Sequence, residues 1–193
     1  MIVFLNIIDM KKIFFLSLFA ALVVSANAQT VVITDKGAVR VPSGYQGHIE
    51  YSNLFYLEDG GTAMDISTTH GFYYTPNMFV GLGFGVHVAP DDGFVPVFAS
   101  AKYIFNSVKR ISPTIQMRMG SFFNEGAKPY GDLSFGLRFA SEKDFAFSIQ
   151  ACASYYAPFD QTEYKWDYTT QTEIVNTSRI NLSCVGIRLG IEW

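Results

Sequence analysis

The chain has 193 residues, a length that suits one domain with a full core. Only 16% of them are charged, against roughly 25% in an ordinary soluble domain, while 16% are aromatic and the net charge is −3. That balance excludes a basic nucleic-acid-binding surface, and the two cysteines, Cys152 and Cys184, stand too far apart for a metal motif.

The N-terminus reads as an export signal. Met10, Lys11 and Lys12 precede an apolar run from Ile13 to Val24, which ends in the small residues Ala26-Asn27-Ala28 before Gln29. The signal is assigned to residues 1–28, with Met10 the candidate true start. The apolar run is shorter than the ~20 residues of a spanning helix, which weighs against a retained anchor. Residues 29–43 form an exported, periplasmic tail with modest strand character.

From residue 44 onward, strand-like runs alternate with turn chemistry. Eight are expected, at about 44–57, 62–74, 78–89, 95–106, 111–123, 129–140, 144–157 and 178–193. The third sets Val80, Leu82, Phe84, Val86 and Val88 against Gly81, Gly83, Gly85 and His87. The sixth sets Leu133, Phe135, Leu137 and Phe139 against Ser134, Gly136 and Arg138. The eighth sets Val185, Ile187, Leu189, Ile191 and Trp193 against Gly186, Arg188, Gly190 and Glu192. Strands one, two and four alternate less cleanly, and no stretch after residue 29 has helical periodicity. The 158–177 connection is far longer than the others and is expected to be an external loop.

Volume decides which face is inside. The lumen of an eight-stranded barrel is just wide enough for its own side chains. Rows of Phe, Leu, Ile and Met would overfill it, whereas rows of Gly, Ser, Gln and isolated charges fit. The large apolar rows therefore face outward, which requires lipid as the outer solvent. Ten strand residues at ~3.3 Å each, tilted by ~40°, rise about 25 Å, the height of an outer-membrane apolar band. A soluble lipocalin-like barrel or a sandwich would leave the glycine-rich, charge-poor face unexplained. The expected fold is all-β: a closed eight-stranded antiparallel up-and-down transmembrane barrel over residues 44–193, both ends periplasmic. Tyr73, Tyr74, Phe79, Tyr103, Phe105, Phe139, Phe145 and Trp193 would ring the periplasmic rim.

This pattern resembles the small eight-stranded outer-membrane barrels of Gram-negative bacteria, of which the OmpA membrane domain and OmpX are examples, and the broad outer membrane protein beta-barrel domain family. The resemblance covers residues 44–193 and rests on architecture and on the closing "GIRLGIEW". It implies that Ile187, Leu189, Ile191 and Trp193 act as the signal read by the barrel-assembly machinery, with Trp193 in place of the usual Phe. It brings no catalytic motif and no cofactor.

On this phase Lys102, Arg118, Arg138 and Arg188 project inward, as do Glu50, Asp65, Asp132 and Glu192. Buried charges need partners, and strands one and eight adjoin on closure, so Glu50 and Arg188 are expected to help build a network that plugs the barrel; an ion path is the alternative. His87 lies near Asp91 and Asp92, with Ser100 a remote nucleophile candidate for a hydrolase. Cys152 and Cys184 share the inward phase and are symmetric about residue 168, so they are either a disulfide or two small lumen fillers. Ile180 and Leu182 run out of phase with Val185, which points to a bulge near Cys184. The functional expectation is a non-catalytic outer-membrane protein with a structural or surface role, whose partners are lipid and a surface ligand or envelope protein. A component of an envelope secretion or assembly complex comes second and a hydrolase third.

Overall fold

The computed structural model describes residues 30–34, 37–58, 60–90, 93–124, 126–141, 145–167 and 172–193. The expected export signal, and with it the question of Met10, lies outside the described residues. Among the described residues ten strands are present: β1 (Thr30–Thr34), β2 (Gly37–Val41), β3 (Gly44–Tyr56), β4 (Thr62–Thr75), β5 (Met78–Val88), β6 (Gly93–Ile104), β7 (Ile111–Asn124), β8 (Gly126–Ala140), β9 (Ala146–Asp167) and β10 (Thr172–Glu192). β1 and β2 pair as a separate hairpin, and the other eight close into a barrel in the order β10-β3-β4-β5-β6-β7-β8-β9, every pairing antiparallel. The fold is thus a closed eight-stranded up-and-down barrel, and closure leaves no sheet edge to be solvated by hydrocarbon.

The period-2 alternation sorts side chains as the volume argument requires. Leu82 (72%), Phe84 (56%) and Ile187 (56%) are exposed on the outer face, whereas Arg118 (1%) and Arg188 (0%) are buried in the lumen. A surface carrying Ile66, Met119, Leu133, Phe135 and Leu189 in unbroken rows is stable only against acyl chains. Removing such rows from water contributes about 25 cal/mol per Å²; here lipid, and not a packed core, collects that gain.

One end of the barrel, the turn end, carries the chain terminus and the short connections at 76–77, 105–110 and 141–145. In the 105–110 turn Asn106 takes φ 62°, and Ser112 Oγ donates to the Asn106 carbonyl at 2.9 Å; Asn tolerates this left-handed backbone better than most residues. The other end, the loop end, carries Leu57–Gly61, the 89–92 connection, the tight β7–β8 reversal and the β9–β10 hairpin.

Several expectations change. The 158–177 segment is not a loop: β9 and β10 continue through it as a paired ribbon up to Asp167↔Thr172. Its Thr-, Tyr-, Ile- and Val-rich alternation has high strand propensity, and pairing outlasts the barrel wall. The bulge falls between Ile180 and Leu182, slightly before the expected place. The girdle holds for Tyr74, Tyr103, Phe105, Phe139, Phe145 and Trp193, all exposed at the turn end. It fails for Tyr73 and Phe79, which point into the lumen and pack with Ile104. Glycine explains the inversion: the bare inward row Gly81-x-Gly83-x-Gly85 leaves space that Phe79 and Phe98 fill, and a Cβ at Gly83 would lie 2.5 Å from the Phe98 ring.

Nitroxide labels at Phe84, Leu137 and Ile187, in a Cys152→Ser/Cys184→Ser background and in bilayers, will be accessible to oxygen and shielded from a water-soluble nickel chelate. A label at Ser100 will be shielded from both.

Candidate functional site

Among the described residues, the lumen is where chemistry-bearing side chains converge. All eight charged residues expected inside are there and buried: Glu50, Asp65, Lys102, Arg118, Asp132, Arg138, Arg188 and Glu192. Four cations face four carboxylates, so the described interior is balanced in formal charge. Balance matters because an uncompensated ion in such a bore costs several kcal/mol.

The charges are arranged in three layers. Nearest the turn end, Glu192 bridges Lys102 and Arg138; Arg138 Nε donates to Glu192 Oε2 at 2.8 Å. In the middle, Arg188 grips Asp132 with a two-pronged contact (Nη1 to Oδ1 2.7 Å, Nη2 to Oδ2 2.8 Å), while its Nε donates to Ser52 Oγ at 2.9 Å. Such fork-to-carboxylate pairs fix geometry as well as charge. Beside it Arg118 pairs with Glu50, donates to Ser67 Oγ at 3.2 Å and lies 4.7 Å over the Phe98 ring. Gln116 donates to Glu50 Oε1 at 3.1 Å and accepts from Arg118 Nε at 3.2 Å. Glu50 and Arg188 therefore belong to one network without bonding to each other. The register places Arg188 opposite Ser52 and Glu50 opposite Gly190, so each reaches across the bore to another strand.

Nearest the loop end the filling turns aromatic. Asp65 Oδ1 accepts from His87 Nδ1 at 2.5 Å, Tyr56 donates its hydroxyl to His87 Nε2 at 2.7 Å, and Tyr156 donates to Asp65 Oδ2 at 3.1 Å. The imidazole stacks on Phe94 at 4.2 Å, within a cluster that includes Phe122, Tyr130 and Tyr156. The sequence pattern did not reveal this layer. Its members come from several strands, and only closure brings them together; the weak alternation of β6, where Phe94 and Phe98 fall in the inward phase, was the available signal.

Among the described residues, the hydrolase candidates His87 and Ser100 are not brought together. His87 is bonded to Asp65; Asp91 and Asp92 lie outside the described residues. Ser100 is buried opposite Gly81, six residues along β5 from His87, roughly 20 Å away at strand spacing. The cysteines are not opposite each other: Cys152 pairs with Gly186 and Cys184 with Ser154, and both are buried thiols with no disulfide between them. The outermost pair of the hairpin, Asp167↔Thr172, already centres it beyond residue 168, and the slip at Ile180/Leu182 makes up only one residue of that offset. Ile187, Leu189, Ile191 and Trp193 line the outer face of β10 as expected from the alternation.

No family model matches the chain, and no curated protein matches it in sequence. Among solved structures, the crystal structure of Neisserial surface protein A (NspA) aligns with a TM-score of 0.52 at 11% identity, over 77% of this chain and 94% of that one. A de novo designed transmembrane β-barrel aligns with a TM-score of 0.49 at 9% identity, over 79% and 95% of the two chains. A major outer membrane protein from Thermus thermophilus gives 0.42 at 12% identity, over 77% and 98%. At 11% identity the likeness to NspA is one of fold: the chain shares its barrel, and the architecture is that of a small outer-membrane β-barrel.

Arg188→Met leaves Asp132 buried without its cation and will destabilise the barrel by about 3–5 kcal/mol in urea titrations in micelles. Adding Asp132→Asn will recover most of that loss. A thiol titration without reductant will find two reactive cysteines per chain after denaturation and none before it.

Proposed function

We propose that the protein is a non-catalytic integral protein of the outer membrane, with a structural or surface-interaction role. The carrying observation is the pairing of an apolar outer face with a lumen closed by ion pairs and aromatic rings. A catalytic barrel needs a nucleophile and base within reach of each other; the buried Asp65–His87–Tyr56 chain has its groups engaged with one another. A conducting barrel needs an open aqueous path, and here Glu192, Arg188 and the Phe94–Tyr156 cluster succeed one another along the bore.

Orientation follows the usual asymmetry of such barrels, with short turns on the periplasmic side. The turn end then faces the periplasm, and the loop end faces outward. The surface role is supported by the β9–β10 ribbon. Nine register pairs, from Phe159↔Ile180 to Asp167↔Thr172, carry it about 30 Å past the barrel wall. Its sequence is rich in Tyr, Trp, Thr and acidic residues, a composition suited to glycan or protein contact. Export through residues 1–28 and insertion by the barrel-assembly machinery acting on Ile187, Leu189, Ile191 and Trp193 complete the reading.

Envelope fractionation will recover the protein with the outer membrane, and its gel mobility will change on boiling. In planar bilayers it will show no large, steady conductance. Large, steady steps from the unaltered protein would refute the plugged lumen.

A further inference from the structure

Two half-buried polar side chains of β4, Thr68 and His70, stand on the wall that faces lipid. Thr68 lies in register with Ile49, which is exposed on that wall, and the Tyr45 ring of β3 meets exposed Phe72 edge-on at 5.5 Å. A histidine in a membrane-spanning segment usually faces the interior, so one turned toward hydrocarbon marks a place with a ligand or a partner. Its hydrogen bonds have a fixed order. Thr68 Oγ1 gives its proton to the His48 carbonyl at 3.2 Å, so it accepts from His70 Nε2–H at 3.0 Å. Nδ1 is then bare, and Tyr45 donates its hydroxyl to it at 2.7 Å. The Tyr45 oxygen keeps lone pairs to spare. Trp193, edge-on to His70 at 6.2 Å, adds a donor: among the described residues its indole N–H meets no acceptor.

A groove adjoins this cluster on the outer wall. It runs across the strands between two rows in register, Ile49–Ile191–Phe147 and Tyr51–Leu189–Ile149, over a floor of Ser148 and Gly190. Its volume is about 580 Å³, within the roughly 300–1,000 Å³ of small-molecule sites. The first row runs on through Thr68, the register partner of Ile49. Trp193 follows Ile191 two residues along the same exposed face of β10. An apolar channel thus ends beside an acceptor, Tyr45, and a donor, Trp193.

We propose that this stretch of wall binds one glycerophospholipid whose headgroup carries a primary ammonium, with an acyl chain in the groove. The inference rests on the outer-membrane reading above. The channel is continuous with the face that lipid covers, so a lipid tail reaches it without leaving the bilayer. The headgroup follows from the donors and acceptors at its end. An ammonium N–H donates to the Tyr45 oxygen, and a phosphate oxygen of the same headgroup accepts from the Trp193 indole. The ammonium also gains from the faces of the two aromatic rings. A trimethylated ammonium has no N–H to give. An anionic headgroup finds no fixed cation in the cluster, because the order of its hydrogen bonds leaves His70 neutral.

The test uses the full barrel in bilayers, with Trp166→Phe leaving Trp193 as the only tryptophan of the chain. Its fluorescence is quenched by lipids brominated near the ester end of the acyl chain: phosphatidylethanolamine, phosphatidylcholine and phosphatidylglycerol of identical chains, each diluted into an unbrominated host. Phosphatidylethanolamine is expected to bind about five-fold more tightly than either of the others, the scale of one hydrogen bond to a charged group at an exposed site. Tyr45→Phe should abolish that preference while the change of gel mobility on boiling persists. Leu189→Phe, which narrows the groove, should weaken all three lipids together. Equal quenching by the three, which is annular lipid only, overturns the proposal alone. So does a preference for either of the other two, or a preference that survives Tyr45→Phe. A chain that fails to enter bilayers overturns both the proposal and the reading it rests on.

Discussion

Closure of β10 on β3 is the constraint on which the rest depends. A strand edge left open in hydrocarbon exposes a row of unpaired backbone groups, each costing several kcal/mol. The last strand of the chain must therefore find the first, over more than a hundred residues of sequence, in one register. Nine residue pairs hold that seam, from Cys184↔Tyr56 to Glu192↔His48. Once the seam is set, the phase of every strand is set with it. A slip of one residue would turn Arg188 and Glu192 to the lipid and Ile187 and Leu189 to the bore.

The bore imposes a second condition. Eight strands leave room for side chains and little else, so volume and charge must both come out even. Volume is balanced locally: glycines on β5 face Phe79 and Phe98, and small Ser and Gln side chains surround the Arg188–Asp132 and Arg118–Glu50 pairs. Charge is balanced globally across the lumen but not layer by layer, and the surplus cation sits at the turn end. Buried ion pairs add little net stability over an apolar filling. Their effect is selective, because each guanidinium fits only the carboxylate that closure delivers to it.

Much of this was legible in the residues. The period of two, the glycine-rich inner rows and the eight inward charges follow from composition and spacing, because in a narrow barrel the inner and outer solvents differ sharply. The aromatic layer around His87 was not legible. Phe94, Phe122 and Tyr156 are as apolar as their outward neighbours, and only the phase inherited from closure turns them inward. Asp65 as a partner of His87 was not legible for a related reason: nearness in sequence draws attention to Asp91 and Asp92, but β-sheet neighbours come from the adjacent strand, here β4. The cysteine register failed because the midpoint of a long connection does not fix the centre of its hairpin: Asp167 pairs with Thr172, which centres the ribbon beyond residue 168.

The chain terminus shows how the seam and the membrane face meet. Gly47 and Trp193 exchange backbone hydrogen bonds at 3.1 and 3.0 Å, ending the β10–β3 seam in a reciprocal pair. The Trp193 indole lies across Gly47, where a Cβ would come within 2.6 Å of the ring, and its ring stands edge-on to His70, 6.2 Å away. A side chain at position 47 would lift the indole off the strand. With glycine there, the terminal aromatic covers the first barrel strand from the lipid side at the level of the girdle, where an amphipathic ring is most stable. Trp193 is thus the cover of the joint that β10 completes. A single position joins the end of the hydrogen-bonded seam to its protection on the lipid side.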